Sequence, residues 1–216
     1  KRLQGAQLKV KELYEDDYTD KARFVGEILG QLSLALAQVD AVLEEPNLYE
    51  SVVNYAIPKL KGKMTVPEEI FKGYEEEFAV LYPALTKQVI HRDPNPGNVI
   101  LADGSWGFID FEMSEKNGRI FDPCYAATAI LSETFEAGNE EKLRKWLTIF
   151  RNILCGYDAV VKLTEEERKA IPYVVLSNQL LALAWFEGQE KFKALYETNK
   201  QMTEWMASVW NELCAE

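Results

Sequence analysis

β-prone residues are concentrated in one short stretch of this chain. Between Gln88 and Phe111, the runs Val89-Ile90, Val99-Ile100-Leu101 and Trp106 to Phe111 alternate with turn residues, and Asp103-Gly104 supplies a hairpin turn. Elsewhere the apolar residues recur at three- and four-residue spacing, the period of a helix with one buried face. Such a chain cannot build a large sheet, so the expected class is mainly α (α+β): a helical bundle with a small β-hairpin. With 216 residues, 47% of them hydrophobic, it can bury a core without staples.

The helices are legible in turn. From Asp20 the residues Val25, Ile28, Leu29, Leu32, Leu36 and Val39 recur at helical spacing, with Thr19 or Asp20 placed to accept from the first free amides. A shorter helix is expected over about 48–57, ending near Pro58. Thr65 with Glu68 and Pro67 has the form of a capping box, and Asp122-Pro123 that of an N-cap followed by a first-turn proline. The residues after Glu140 are expected to be helical, with Thr164 and Glu167 capping one short helix and Pro172 opening the next. Trp185, Trp205 and Trp210 are expected in the packing between helices.

A formal charge of −11 argues against nonspecific nucleic-acid binding, which rests on clustered Lys and Arg. No apolar stretch approaches the roughly 18 residues of a membrane span. Cys124, Cys155 and Cys214 lack metal-ligand spacing and are expected to act as small hydrophobes. A cytoplasmic protein, acting without membrane or nucleic acid, is the expectation.

One segment carries chemistry. His91-Arg92-Asp93-Pro94-Asn95-Pro96-Gly97-Asn98 lies on a loop, and Ile109-Asp110-Phe111-Glu112 ends a strand. Phosphoryl transfer needs an aspartate to orient and deprotonate the attacking hydroxyl, and oxygen ligands for the divalent ion that neutralises the phosphates. Asp93 is the candidate base. Asn98 and Asp110 offer the hard oxygen ligands that Mg²⁺ accepts beside waters and phosphate oxygens. A hairpin between them would return both ligands to one end of the sheet. His91 is expected to organise the loop by bonding backbone or Asp110, and Asp122 to cap its helix.

The spacing matches the catalytic-loop pattern H-R-D-x-x-x-x-N and the following Asp-Phe pair of protein kinases. Yet only eleven residues separate Asp110 from Asp122, Glu112 stands where that motif has glycine, and no A-P-E follows. The run Val89-Ile90-His91, the segment Pro96 to Leu101, Gly107 to Glu112, and Phe121-Asp122-Pro123 together resemble the aminoglycoside phosphotransferase family, which includes choline and homoserine kinases. The resemblance is sharp over about 89–131 and architectural elsewhere. It implies the C-terminal lobe of a protein-kinase-like fold that uses ATP and Mg²⁺, with Asp93 catalytic, and Asn98 and Asp110 binding the metal and its nucleotide. Arg92 stands where many relatives have glycine and Pro94 where they have leucine.

The sequence shows no glycine-rich phosphate loop, no strand lysine with a partner glutamate and no five-stranded pattern before Gly5. Lys1-Arg2-Leu3-Gln4-Gly5 resembles the family's link between lobes. Residues 1–18 are therefore expected to be a hinge or connection from an absent N-terminal ATP-binding lobe, and 19–216 the helical catalytic and substrate-binding lobe. The expected activity is transfer of the γ-phosphate of ATP to a hydroxyl of a small molecule such as an aminoglycoside, choline or homoserine, the 216 residues alone being inactive. The alternative is a noncatalytic ligand-binding or interaction module. Glu133, Glu136, Asp158, Glu187, Glu190 and Glu204, near Trp185 and Phe186, either cradle a cationic substrate or are solvated faces.

Overall fold

The computed structural model describes residues 5–102 and 104–214. In chain order, strand β1 (Ala6–Gln7) precedes helix α1 (Tyr18–Leu36) and the short helices α2 (Leu48–Ser51), α3 (Ile57–Leu60), α4 (Glu68–Gly73) and α5 (Ala79–Leu81). Strands β2 (Lys87–Ile90), β3 (Val99–Ala102), β4 (Ser105–Phe108) and β5 (Glu115–Gly118) follow. Helices α6 (Phe121–Thr134), α7 (Glu140–Val160), α8 (Glu165–Phe186), α9 (Lys193–Ser208) and α10 (Trp210–Leu213) complete the chain. Two compact units result: one from the residues up to Glu45 with Lys87–Leu163, the other from Pro46–Thr86 with the residues from Thr164 on.

The first unit holds every described strand. β3 and β4 form the expected hairpin, Ala102 facing Ser105 and Val99 facing Phe108, and Gly104 takes the positive φ of 69° that the two-residue turn requires. β1 adds antiparallel to β3, while β2 pairs with β5 in a separate two-stranded sheet. Behind them α1 lies against α7 so closely that a Cβ on Gly26 would sit 1.9 Å from the carbonyl oxygen of Ile153, and one on Gly156 2.0 Å from that of Arg23. Glycine is required here for backbone contact. Val25, Ile28 and Leu29 of α1 and Trp146, Phe150 and Ile153 of α7 are buried, and the Tyr157 hydroxyl donates to Ser33 Oγ at 2.8 Å.

The second unit packs a ring cluster against α8. Phe78 stacks on Tyr173 at 5.3 Å, Tyr74 meets both edge-on, and the Tyr74 hydroxyl donates to the Tyr173 carbonyl at 2.7 Å. α8 opens on the expected capping box: Thr164 Oγ1 accepts from the Glu167 amide at 3.2 Å, and Glu167 accepts from the Thr164 amide at 3.0 Å.

Several local expectations are corrected. α1 begins at Tyr18 behind Asp17, whose φ is 63°, so Thr19 and Asp20 lie inside it and cap nothing, and it ends at Leu36, leaving the expected face residue Val39 beyond it and exposed. The helix of residues 48–60 does not stop at Pro58. It widens into a π-turn at Val52–Ala56, and the wider winding carries the chain past the missing proline N–H. The Thr65 box does not form: the Thr65 amide donates to Glu204 at 2.7 Å, and Glu68 pairs with Lys61 at 2.5 Å. Pro172 opens no new helix. It sits buried inside the 22-residue α8, where flanking Ile171, Tyr173, Val174 and Val175 bury enough surface to offset the lost hydrogen bond.

Trp185 is 52% exposed, with Phe192 4.9 Å away, and of the free cysteines Cys155 and Cys214 are exposed while Cys124 is buried. In the segment expected as a connection, Leu8, Val10 and Leu13 are buried and a 3₁₀ turn runs over Val10–Tyr14; Lys1 to Gln4 lie outside the described residues. Among the described residues no helix is long and apolar enough to cross a membrane.

Candidate active site

The loop from β2 to β3 holds the motif, and its shape is imposed by α6. His91 and Arg92 leave the strand with their amides unpaired by the sheet, and a buried amide needs an acceptor. Asp122, in the first turn of α6, supplies both: its Oδ2 accepts from the His91 amide at 2.9 Å and its Oδ1 from that of Arg92 at 3.0 Å. The carboxylate is 3% exposed, and burial raises its pKa from the ordinary 3.8 to about 6, against the opposing pull of the two amides. Asp122 is thus not the helix cap expected from Asp-Pro; Ile120 holds the cap position, and the side chain braces the loop instead.

That brace holds Arg92 at a φ of 76°, the left-handed region glycine enters freely. The position filled by glycine in the resembling family therefore keeps the same demand here. The arginine is compensated by a 3.3 Å ion pair with Glu115 on β5 and by its guanidinium lying 4.8 Å from the Phe121 ring centre. The His91 ring, fully buried, bonds the Ile109 carbonyl through Nε2 at 2.9 Å and rests 4.4 Å from Phe111. It bridges loop and strand end by backbone, the organising role expected of it.

Asp93 follows at once. Its Oδ1 accepts from Asn95 Nδ2 at 3.0 Å and its Oδ2 from Asn98 Nδ2 at 3.1 Å, while Asn98 Nδ2 also donates to the Asp93 carbonyl at 2.8 Å. With the amide nitrogen turned to Asp93, the oxygen of Asn98 is the end available to a cation. The Asn98 carbonyl accepts from the Ile109 amide at 3.0 Å, one step beyond the Val99–Phe108 pair, so the hairpin ladder delivers Asn98 beside the residue preceding Asp110. Asp110 itself turns the chain at φ 66° and is exposed. Arg92, just before the candidate base, and Asp110, at the end of the hairpin, are both non-glycine residues at positive φ, a conformation that costs energy outside glycine.

The structure thus brings Asp93 and Asn98 into direct contact and Asp110 to the same end of the hairpin. Among the described residues no group of three or more His, Cys, Asp or Glu forms a metal cage. A pair of oxygen donors, one charged and one neutral, fits an ion completed by waters and phosphate oxygens. Sequence patterning missed Tyr125. Its ionisation is pushed up to about 12, first by burial and then by the nearby Asp93 carboxylate. The signal was present as spacing: Tyr125 is three residues beyond Asp122, on the same face of a helix.

Comparison with known proteins bears on the family and the fold. The sequence pattern of the phosphotransferase enzyme family matches residues 1–153. A homoserine kinase of Phenylobacterium zucineum (strain HLK1) is 36% identical over 89 residues, 41% of this chain and 25% of its own length. Among solved structures, a choline/ethanolamine kinase family protein from Mesorhizobium loti superposes with a TM-score of 0.63 at 15% identity, covering 99% of this chain and 70% of that one. The GDP complex of aminoglycoside 2′-phosphotransferase-IIIa gives 0.68 at 15% identity, covering 96% and 69%. The chain therefore spans a quarter of the curated homoserine kinase and about two thirds of these solved chains, and shares their kinase-like fold. With the family pattern matched over more than half its length, the chain belongs to the phosphotransferase enzyme family.

Proposed function

We propose that this chain carries the catalytic loop and cation ligands of a small-molecule kinase that moves the γ-phosphate of ATP to a hydroxyl. The observation that carries this reading is the linkage of Asp93, Asn98 and Ile109: Asn98 bonds the Asp93 carboxylate by its side chain and the amide preceding Asp110 by its backbone. Asp93 would accept the proton of the acceptor hydroxyl as its oxygen bonds to the γ-phosphorus and the bond to the ADP oxygen breaks. Asn98 and Asp110 would hold Mg²⁺, which when bound neutralises phosphate charge. Asp122, His91 and Arg92 hold the loop in the shape that keeps these groups together.

The acceptor is proposed to be a small alcohol bearing an amine. The relatives are named for homoserine, choline or ethanolamine, and aminoglycosides, all of which combine a hydroxyl with a nitrogen cation. A net charge of −11 favours approach of such a substrate. The three free cysteines suit the reducing cytoplasm. Transfer also requires groups that align the phosphates, since positioning is most of what a kinase contributes; the assay therefore uses the whole protein that contains this chain, and the 216 residues alone are expected to fold without transferring phosphate.

The test is ADP release with homoserine, choline, ethanolamine and aminoglycosides, for the native protein and for Asp93→Asn. We expect turnover with at least one amino alcohol and a loss of roughly a hundredfold or more in the variant, at nearly unchanged nucleotide affinity. A near-normal rate in Asp93→Asn removes Asp93 from its role. Ligand binding without turnover of any acceptor would favour a noncatalytic binding module.

A further inference from the structure

We propose that Asn95 is a positioning residue for Asp93, fixing the plane of its carboxylate in the orientation that meets the acceptor hydroxyl. The inference rests on the reading of Asp93 as the base. An aspartate carboxylate turns easily about its last side-chain bond, because a torsion between a tetrahedral and a planar carbon has broad minima. One donor on one oxygen leaves that rotation soft. Here each oxygen has its own donor, Oδ1 accepting from Asn95 Nδ2 at 3.0 Å and Oδ2 from Asn98 Nδ2 at 3.1 Å, so any turn of the group disturbs both bonds. Each is made to a charged acceptor, the stronger kind.

Asn95 is itself held in place. It stands between Pro94 and Pro96, both buried, and a residue before proline is confined to extended backbone, which Asn95 adopts at φ −67° and ψ 158°. Asp93, before Pro94, is under the same restriction. The Asn95 carbonyl accepts from the Asn98 amide at 2.9 Å, so the two donors are tied to each other as well as to the carboxylate. A carboxylate only accepts, so the amide nitrogen of Asn95 faces Asp93 and its oxygen faces away. A Cβ on residue 97 would stand 3.0 Å from that oxygen, and Gly97 leaves the space open. Gly97 does not take a positive φ, so the position uses the missing side chain and not backbone freedom. Gln7 on β1 adds an outer tie, its Nε2 donating to the Gly97 carbonyl at 2.7 Å.

Asn95→Leu keeps the branched shape and deletes the donor. In the whole protein we expect kcat to fall by roughly tenfold, because a base misplaced by a fraction of an ångström loses its approach to the hydroxyl, with KM for ATP and acceptor, the Mg²⁺ midpoint and the melting temperature nearly unchanged. Combined with Asp93→Asn, the Asn95→Leu change should cost nothing more, since the group it positions is already disabled. An unchanged kcat in Asn95→Leu, or an equal loss in both backgrounds, overturns the proposal while leaving the base intact. A raised KM for ATP or a shifted Mg²⁺ midpoint overturns it as well, since Asn95 would then serve the nucleotide or its metal. A near-normal rate in Asp93→Asn alone overturns the reading of the base, and this inference with it.

Discussion

The amide of His91 donates to Oδ2 of Asp122 at 2.9 Å, across 31 residues of sequence. Through this bond and its partner from Arg92, the first turn of α6 determines how the loop leaves β2, and with it the direction in which Asp93 points. The residue that sequence patterning reads as the cap of this helix thereby shapes the candidate site.

Replacing Asp122 by Asn tests that brace. An amide offers one oxygen to two donors and turns an NH₂ toward the second, so the variant should unfold more easily by about 1–3 kcal/mol at pH 7 to 8. The pH dependence has a definite sign. Burial, the largest influence, raises the folded-state pKa from 3.8 to about 6, with Glu115 also raising it and the two amides and His91 lowering it. The folded protein then binds the proton more tightly than the unfolded chain, so this contribution to stability is complete below about pH 4 and lost as pH rises through 6. Denaturant melts from pH 4 to 7 should show the gap between native and Asp122→Asn narrowing as pH increases. A flat gap, or one that widens, would show that Asp122 does not titrate as its burial requires.

Much of the candidate site was legible because the proposed chemistry, phosphoryl transfer, demands fixed residue types at fixed spacing. Asp93, Asn98 and Asp110 stand where the motif places them, and the Ala102–Ser105 turn closes the hairpin between. The misreadings share a cause, local signals overridden by tertiary partners. Asp-Pro describes an N-cap and a first-turn aspartate equally well, and only the nearness of two unpaired amides distinguishes them. β5, with the sequence Glu-Lys-Asn-Gly, has no β-branched residue and is a strand because β2 offers it a ladder. The π-turns at Val52–Ala56 and Tyr74–Phe78 and the buried Pro172 leave no mark on hydrophobic periodicity, since the apolar positions still reach the core.

Arg92 separates strain from contact. At φ 76° a Cβ costs about 1–2 kcal/mol, while the Glu115 ion pair and the Phe121 stack act in the other direction. Arg92→Ala keeps the strain and loses both contacts; Arg92→Gly loses the contacts and the strain together. Arg92→Gly should therefore be the more stable of the two by roughly 1 kcal/mol, read from paired denaturant melts. If alanine equals or exceeds glycine, the loop has relaxed out of the left-handed region and the brace from Asp122 does not fix it.

The two proposed cation ligands should fail differently, because their surroundings differ. Asp110 turns the chain at φ 66°, which asparagine tolerates better than alanine, so Asp110→Asn removes the charge with little change in backbone. Losing a full negative charge from a site completed by waters and phosphate oxygens weakens the attraction for a divalent ion more than losing a neutral oxygen. Asn98→Ala removes that neutral oxygen, and it also removes the Nδ2 donor that bonds Asp93 at its carbonyl and carboxylate, at 2.8 and 3.1 Å. In the whole protein, Mg²⁺ titrations of nucleotide binding should therefore show the larger shift in midpoint for Asp110→Asn. At saturating Mg²⁺ the Asn98→Ala variant should still turn over slowly, because Asp93, the proposed base, is no longer held and added metal cannot restore that. Equal midpoints in the two variants would count against Asp110 as the charged ligand, and full recovery of Asn98→Ala at high Mg²⁺ would show that its side chain serves the metal alone.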